Sequence, residues 1–256
     1  MPENNILQVS KLGVDFGGLT AVNNFNLTIG KNEIIGLIGP NGAGKTTVFN
    51  LLTKVYQPTR GKIVLNGQDL EKMDTVAVNH AGIARTFQNI RLFNQLSVLE
   101  NVLVGMDRHI GYSTLDGIFR TGKFYREEKA AKEKAMELLK IFHLDEFADY
   151  EADNLSYGAQ RRLEIARALA SDPCLLLLDE PAAGMNPSET VDLMNTIRTV
   201  RDRFQISILL IEHDMKLVMG ICERITVLNY GTVLAEGTPE EIQKNPQVIK
   251  AYLGGV

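Results

Sequence analysis

The stretch Gly39-Pro40-Asn41-Gly42-Ala43-Gly44-Lys45-Thr46 (GPNGAGKT), followed by Thr47, decides how this 256-residue chain folds. It fits G-x-x-x-x-G-K-[ST], a spacing in which glycines let successive backbone N–H groups turn inward around phosphate oxygens. A helix starting at the lysine then aims its positive end at the same anion. Glu33 to Ile38 (EIIGLI) reads as a short buried strand, and Val48, Leu51, Leu52 and Val55 fall on one face of the helix that follows. Strand, glycine loop and helix in this order predict an α/β fold organised around a phosphate loop. Lys45 would reach the β- and γ-phosphates of a nucleotide, and Thr46 would offer its hydroxyl to Mg²⁺. A bare glycine turn before a capped helix is the plainer alternative, and the flanking pattern argues against it.

Further along, Cys174 to Leu178 is an apolar run ending in Asp179-Glu180, the pattern of a buried parallel strand that delivers carboxylates at its C-terminal end. Beside a phosphate loop, Asp179 is placed to hold Mg²⁺ through water. Glu180 is placed to orient and polarise an attacking water, because phosphoryl transfer needs positioning more than covalent chemistry. Without the loop, the pair would read only as a helix N-cap. Two more strings complete the set. LSYGAQRR at Leu155 to Arg162 offers Ser156 as N-cap of a helix running through Arg162, Leu163, Ala166 and Leu169. IEHD at Ile211 to Asp214 closes an apolar strand that begins at Ile206.

With these four strings in this order, the chain resembles an ABC-type ATP-binding cassette over nearly its whole length. Leu155 to Gln160 is similar to the family signature LSGGQ, with Tyr157 for the first glycine, Ala159 for the glutamine, and Ser156 and Gly158 retained. The resemblance implies that Ser156 and Gly158 grip the γ-phosphate held by an opposite subunit, a helix N-terminal anion site supplied in trans. It also implies that Gln88, in Arg85-Thr86-Phe87-Gln88, touches Mg²⁺ and water, and that His213 contacts the γ-phosphate. Phe16 matches the aromatic that stacks on adenine. Read alone, Gln88 is a surface residue, His213 a structural histidine at a strand end, and Phe16 a core phenylalanine. Asn186 stands where the family carries an aspartate; with Pro187 and Glu189 it makes a helix-start signal and is not assigned to catalysis.

The implied fold class is α/β: a P-loop ATPase core with a mixed sheet, an N-terminal antiparallel β subdomain and an inserted α-helical subdomain. Residues 1–89 and 154–256 would form the nucleotide-binding core of a single ABC domain, and about 90–153 the helical subdomain. Lys129 to Leu144 supports the insertion, since Ala131, Ala135, Leu138, Leu139 and Phe142 make one apolar stripe. Leu65 to Gln68 reads as a turn, Arg224 to Glu236 as a hairpin around Asn229-Tyr230-Gly231, and Thr238 to Glu241 as a capping box.

Composition bounds the function. With 45% hydrophobic residues the chain can bury a substantial core, and a net charge of −4 gives no general pull toward nucleic acid or anionic lipid. The cluster Arg120, Lys123 and Arg126 lies among acidic residues and reads as a solvated face. Cys174 and Cys222 make neither a disulfide framework nor a metal cluster. The start MPENNILQVS lacks the features of a signal peptide, and no run approaches a membrane span.

A single cassette calls for a second from another polypeptide, a paralogue or another copy. The resemblance therefore implies the ATP-hydrolysing motor of a transporter, peripheral on the cytoplasmic face of the membrane. Its cofactors would be ATP and Mg²⁺. Its partners would be two integral-membrane permeases and, indirectly, an external solute-binding protein, with no nucleic acid. Asn89 to Val104 would line the permease groove, with Leu92 and Phe93 either exposed contacts or subdomain core. The wording FGGLTAVNNFNLTI, RTFQNIRLF, LSYGAQRRLEIARAL, DEPAAGMNP, IEHDMKLVMGICERI and NPQVIKAYLG is similar to ATP-binding subunits of branched-chain amino acid importers. A urea or amide importer cassette, a lipid-export cassette and a soluble non-transport ABC ATPase are the alternatives.

Overall fold

In the computed structural model, which describes residues 5–106, 111 and 113–253, three apolar runs lie side by side as strands. Ile34–Ile38 (β3), Leu175–Asp179 (β7) and Ser207–Ile211 (β8) are buried at every position, as strands covered on both faces must be. They pair in parallel in the order β3-β8-β7. Ile83–Arg85 (β6) extends the sheet beyond β7, and Arg224–Asn229 (β9) adds in parallel beside β3. Thr232–Gly237 (β10) returns antiparallel on β9 through the turn at Tyr230 and Gly231, which makes the sheet mixed.

Because strand side chains alternate between faces, the same five-residue runs feed two cores. Ile34, Ile38, Leu176, Leu178, Ile208 and Leu210 belong to one cluster, packed with the helices. Ile35, Leu37, Leu175, Leu177, Leu209 and Ile211 belong to the other. The second cluster is closed by Lys45–Leu52 (α1) and by an antiparallel sheet of Asn5–Phe16 (β1), Leu19–Gly30 (β2), Arg60–Leu65 (β4) and Gln68–Asp69 (β5), in the order β2-β1-β4-β5. Val48, Leu51 and Leu52 are fully buried in it, whereas Val55 is 53% exposed, because α1 ends at Leu52 before the apolar face can reach it. Cys174 lies just outside β7 and is half-buried.

On the other side, Val98–Gly105 (α3) and Gly122–Ile141 (α5) pack with Tyr157–Leu169 (α6), next to Pro187–Phe204 (α7) and Met215–Ile221 (α8). Helix α5 begins seven residues before the stripe read from the sequence; Ala135, Leu138, Leu139 and the capping Phe142 are buried and Ala131 is half-buried. Thr75–Ala81 (α2), Thr114–Phe119 (α4), Pro239–Lys244 (α9) and Pro246–Leu253 (α10) complete the described elements. Residues 1–4, where the stretch read for a targeting signal begins, lie outside the described residues, as does the last glycine of NPQVIKAYLG.

Two features bind α6 to its surroundings. Gly105 sits so close to α6 that a Cβ there would lie 2.3 Å from the Arg167 carbonyl. Arg161 is fully buried, paired with Glu164 at 3.0 Å, and donates to the Phe87 and Gln88 carbonyls at 2.6 Å each. Glu164 in turn accepts from the Phe87 and Arg91 backbone amides, and its burial pushes its carboxyl pKa upward. Charge and hydrogen bonds thus fasten the segment that carries Gln88 to this helix.

Gly105→Ala is expected to cost about 1–3 kcal/mol by overpacking. Gly122→Ala, where a Cβ meets nothing within 4 Å among the described residues, should be neutral or stabilising by about 0.4–1 kcal/mol; urea unfolding of both variants checks the contrast. Arg161→Met strands Glu164 as an uncompensated buried charge and should cost about 3–5 kcal/mol. An unfolding midpoint like that of the unmodified chain would show the pair to be dispensable.

Candidate functional site

Parallel strands deliver their C-terminal ends to one edge of a sheet, and here that edge collects four chemical groups. β3 runs into the phosphate loop, β6 leads through Thr86 and Phe87 to Gln88, β7 ends at Asp179 and Glu180, and β8 leads to Glu212 and His213.

The loop needs its glycines. Gly39 has φ 154°, and a Cβ there would lie 2.1 Å from the Leu228 carbonyl; Gly44, at φ 103°, would meet the Ala21 carbonyl at 3.0 Å. The Gly231 amide donates to the Ala43 carbonyl at 2.9 Å and the Asn23 amide to the Gly231 carbonyl at 2.8 Å, so the β9-β10 turn stitches the loop to the antiparallel sheet. Lys45 is 6% exposed and folds back to donate to the Gly39 and Pro40 carbonyls at 2.7 and 3.0 Å. Burial lowers the pKa of its ammonium, while Glu180 and Asp179 act against that fall. Thr46 and Thr47 follow in the first turn of α1, Thr46 exposed and Thr47 half-buried.

Glu180 has φ 49°, a left-handed backbone that a non-glycine residue adopts at a cost. Its amide donates to the Ile211 carbonyl at 2.9 Å, which holds the turn. The carboxylate then lies between two side chains: Gln88 Nε2 donates to Oε2 at 2.8 Å and His213 Nε2 meets Oε1 at 3.0 Å. A carboxylate only accepts, so the histidine contact requires the proton on Nε2. Gln88, Glu180 and His213, widely separated in sequence, therefore form one hydrogen-bonded chain.

Asp179 is 3% exposed, and its Oδ2 pairs with Arg85 at 2.8 Å, while Arg85 also donates to Asn50 of α1 at 2.7 Å. Glu212, 4% exposed, accepts from the amides of Ala182, His213 and Asp214 at 2.7, 3.0 and 3.3 Å. Burial raises its pKa against those three bonds, and its work is to shape the turns after β7 and β8. Neither Arg85 nor Glu212 stood out in the sequence, since a lone arginine or glutamate beside a motif carries no periodicity.

Ser156 caps α6 by accepting from the Ala159 amide at 3.4 Å, and Gly158 lies in the same turn against Glu189. Its hydrogen bonds tie this serine to its own helix, apart from the Gln88, Glu180 and His213 chain. Asn186 is the N-cap of α7, in a capping box with Glu189. Phe16, at the end of β1, is 43% exposed and so does not serve as core; its ring meets Tyr56 edge to face at 5.2 Å. Tyr56 was missed, because an aromatic ten residues past the loop has no signal until the chain folds back on β1.

The sequence of the chain matches the family model described as ABC transporter over residues 22–183 and that described as branched-chain amino acid ATP-binding cassette transporter over residues 232–256. It is 51% identical over 249 residues to the high-affinity branched-chain amino acid transport ATP-binding protein BraF of Pseudomonas aeruginosa, covering 97% of this chain and 98% of that one. Identity and coverage are the same for LivG of Escherichia coli, which carries the same description. The lipopolysaccharide export system ATP-binding protein LptB of Haemophilus influenzae is 33% identical over 98% of both chains. Among solved structures, the ADP conformation of MJ1267, an ATP-binding cassette of an ABC transporter, superposes with a TM-score of 0.85 at 30% identity, covering 98% of this chain and 99% of that one. A phosphate loop, strand-end carboxylates and a capped signature helix on this sheet, together with these likenesses, place the chain in the ABC transporter family of ATP-binding cassettes.

Proposed function

We propose that this chain is the ATP-hydrolysing subunit of an importer of branched-chain amino acids, leucine, isoleucine and valine. The observation that carries the reading is the 51% identity to BraF and LivG over 97% of the chain, against 33% to the lipopolysaccharide-export relative. Two permeases, a second cassette and an external solute-binding protein complete the assembly, with this chain peripheral on the cytoplasmic face. No helix among the described residues is long and apolar enough to cross a membrane. The transported solute is then read by the partners.

In the proposed reaction Lys45 and the loop amides bind the β- and γ-phosphates, Phe16 stacks on adenine with Tyr56 behind it, and Ser156 and Gly158 of the second cassette close over the γ-phosphate. Thr46, Gln88 and Asp179, whose Oδ2 is the oxygen bonded to Arg85, offer hard oxygen donors of the kind Mg²⁺ takes. The ion would neutralise charge developing on the phosphate oxygens. Glu180 orients a water and takes its proton as the oxygen attacks the γ-phosphorus. The bond to the bridging oxygen breaks, leaving ADP and phosphate. Gln88 and His213 hold the Glu180 carboxylate in that position. Closure follows from nucleotide contacting the closed dimer better than the open one.

A groove of about 400 Å³ between the core and the helical insertion suits a permease helix. His80, Arg85, Arg91, Phe93, Val104 and Arg167 line it. Phe93 is 49% exposed beneath the Arg167 guanidinium at 5.6 Å, and Leu92 is half-buried against the core. Fully buried Asn101 fixes this edge by exchanging hydrogen bonds with both backbone groups of Phe93 at 3.0 Å.

Reconstitution with permeases, sister cassette and binding protein tests the reading: leucine-loaded binding protein should raise ATP turnover, and stimulation by urea or lipid instead would reassign the system. Glu180→Gln is expected to keep ATP binding and to lose about 10²–10⁴-fold in turnover; unchanged turnover would remove Glu180 from the chemistry. Phe93→Ala should weaken the hold on the permeases by about tenfold or more, from about 1.5–3 kcal/mol for burying a phenylalanine. Nucleotide affinity should stay as it was, and undiminished co-purification with the permeases would place the docking elsewhere.

A further inference from the structure

A cavity of about 650 Å³ opens between the end of α5 and the flanks of α6 and α7, away from the strand ends. Lys140 lines it from the last turn of α5, His143 from just beyond, Arg162 from α6, and Asp192, Asn195 and Arg203 from α7. Three fixed cations thus face one carboxylate in a chain whose net charge is −4. Among the described residues none of Lys140, Arg162 and Arg203 forms an ion pair.

Lys140 and Arg203 complement the negative C-terminal ends of their own helices. Arg162, in the second turn of α6, has no such reason to be there. Its Nε is buried with no hydrogen-bond partner among the described residues. Arg85 and Arg161 also leave Nε unpaired, but their terminal nitrogens are bonded, whereas Arg162 makes no hydrogen bond at all among the described residues. Only its Nε is shut away, so the terminal nitrogens of the guanidinium are left open on the cavity side to donate to an acceptor there.

We propose that this cavity binds a small phosphate-bearing anion. Its volume lies within the roughly 300–1,000 Å³ of small-molecule sites, and its concavity fits a compact solute better than a flat lipid surface. Arginines on two helices present the planar fork that grips phosphate oxygens, Lys140 adds a point charge, and Asn195 offers a polar group for the rest of the molecule. Because Ser156 caps α6 and α7 begins at Pro187, seven residues after Glu180, an occupant would tie the signature helix to the helix that follows the proposed catalytic glutamate. The proposal stands whatever solute the assembly transports.

The test is calorimetric titration of inorganic pyrophosphate into the full chain with the phosphate loop saturated by ADP, with parallel sedimentation on phosphatidylglycerol vesicles. One additional pyrophosphate site is expected, unchanged in Lys45→Ala and weakened at least tenfold in the Arg162→Gln, Arg203→Gln double variant. Lys140→Gln, a neutral change at an exposed position, should weaken it as well. Absence of that site, equal binding by the variants, or loss with Lys45→Ala would overturn the proposal. So would vesicle binding that depends on Arg162 and Arg203 without pyrophosphate binding, since the face would then belong to a membrane surface.

Discussion

The turn at Glu180 is the constraint on which the rest depends. β7 must end with one carboxylate, Asp179, buried against Arg85 and the next, Glu180, swung out between Gln88 and His213. An ordinary extended residue would place successive side chains on opposite faces. The left-handed backbone at Glu180 breaks that alternation and stores strain, which is held in place by the bond from its amide to the Ile211 carbonyl and by the Glu212 carboxylate, an acceptor for three backbone amides. Strand order then does the rest: with β8 between β3 and β7 and β6 outside β7, the partners of Glu180 arrive from both sides of its own strand.

The same segment links the site to the helical insertion. Gln88 touches Glu180 through its side chain, while its carbonyl is held by Arg161 of α6, the helix capped by Ser156. The strand ends are therefore joined to α6 through two hydrogen bonds, and the buried Arg161–Glu164 pair anchors the second of them within the helix. Asn101 fixes the Phe93 edge of the groove in a comparable way, by backbone bonds within one short stretch. In the proposed cycle, coupling between nucleotide and permease would run from carboxylate to glutamine to the buried arginine of α6, the helix whose Arg167 lines the groove.

Much of this was legible from residue patterns. Short, mainly apolar runs of strand length read as doubly covered strands once they flank a glycine loop or end in paired carboxylates, and the glycine spacing before Lys45 reads as a phosphate loop. Caps at Ser156, Asn186 and Thr238 were readable because their partners lie three residues away, within the same helix turn. What stayed hidden depends on long-range approach: Arg85 to Asp179, Tyr56 to Phe16, Arg161 to the Gln88 carbonyl. Val55 was misplaced because helical periodicity continues in the sequence after the backbone has left the helix. Phe16 is settled as an exposed ring only by the fold, since phenylalanine by itself favours interiors.

A double-mutant cycle on ATP turnover in the reconstituted assembly, with Gln88→Ala, His213→Ala and both together, tests most directly whether the strand ends act through a single held carboxylate. If Gln88 and His213 both act by positioning Glu180, the double variant should be little slower than the worse single one, with a coupling of about 0.5–3 kcal/mol. Losses that simply multiply would show that the two side chains work independently and would contradict the shared hold on Glu180.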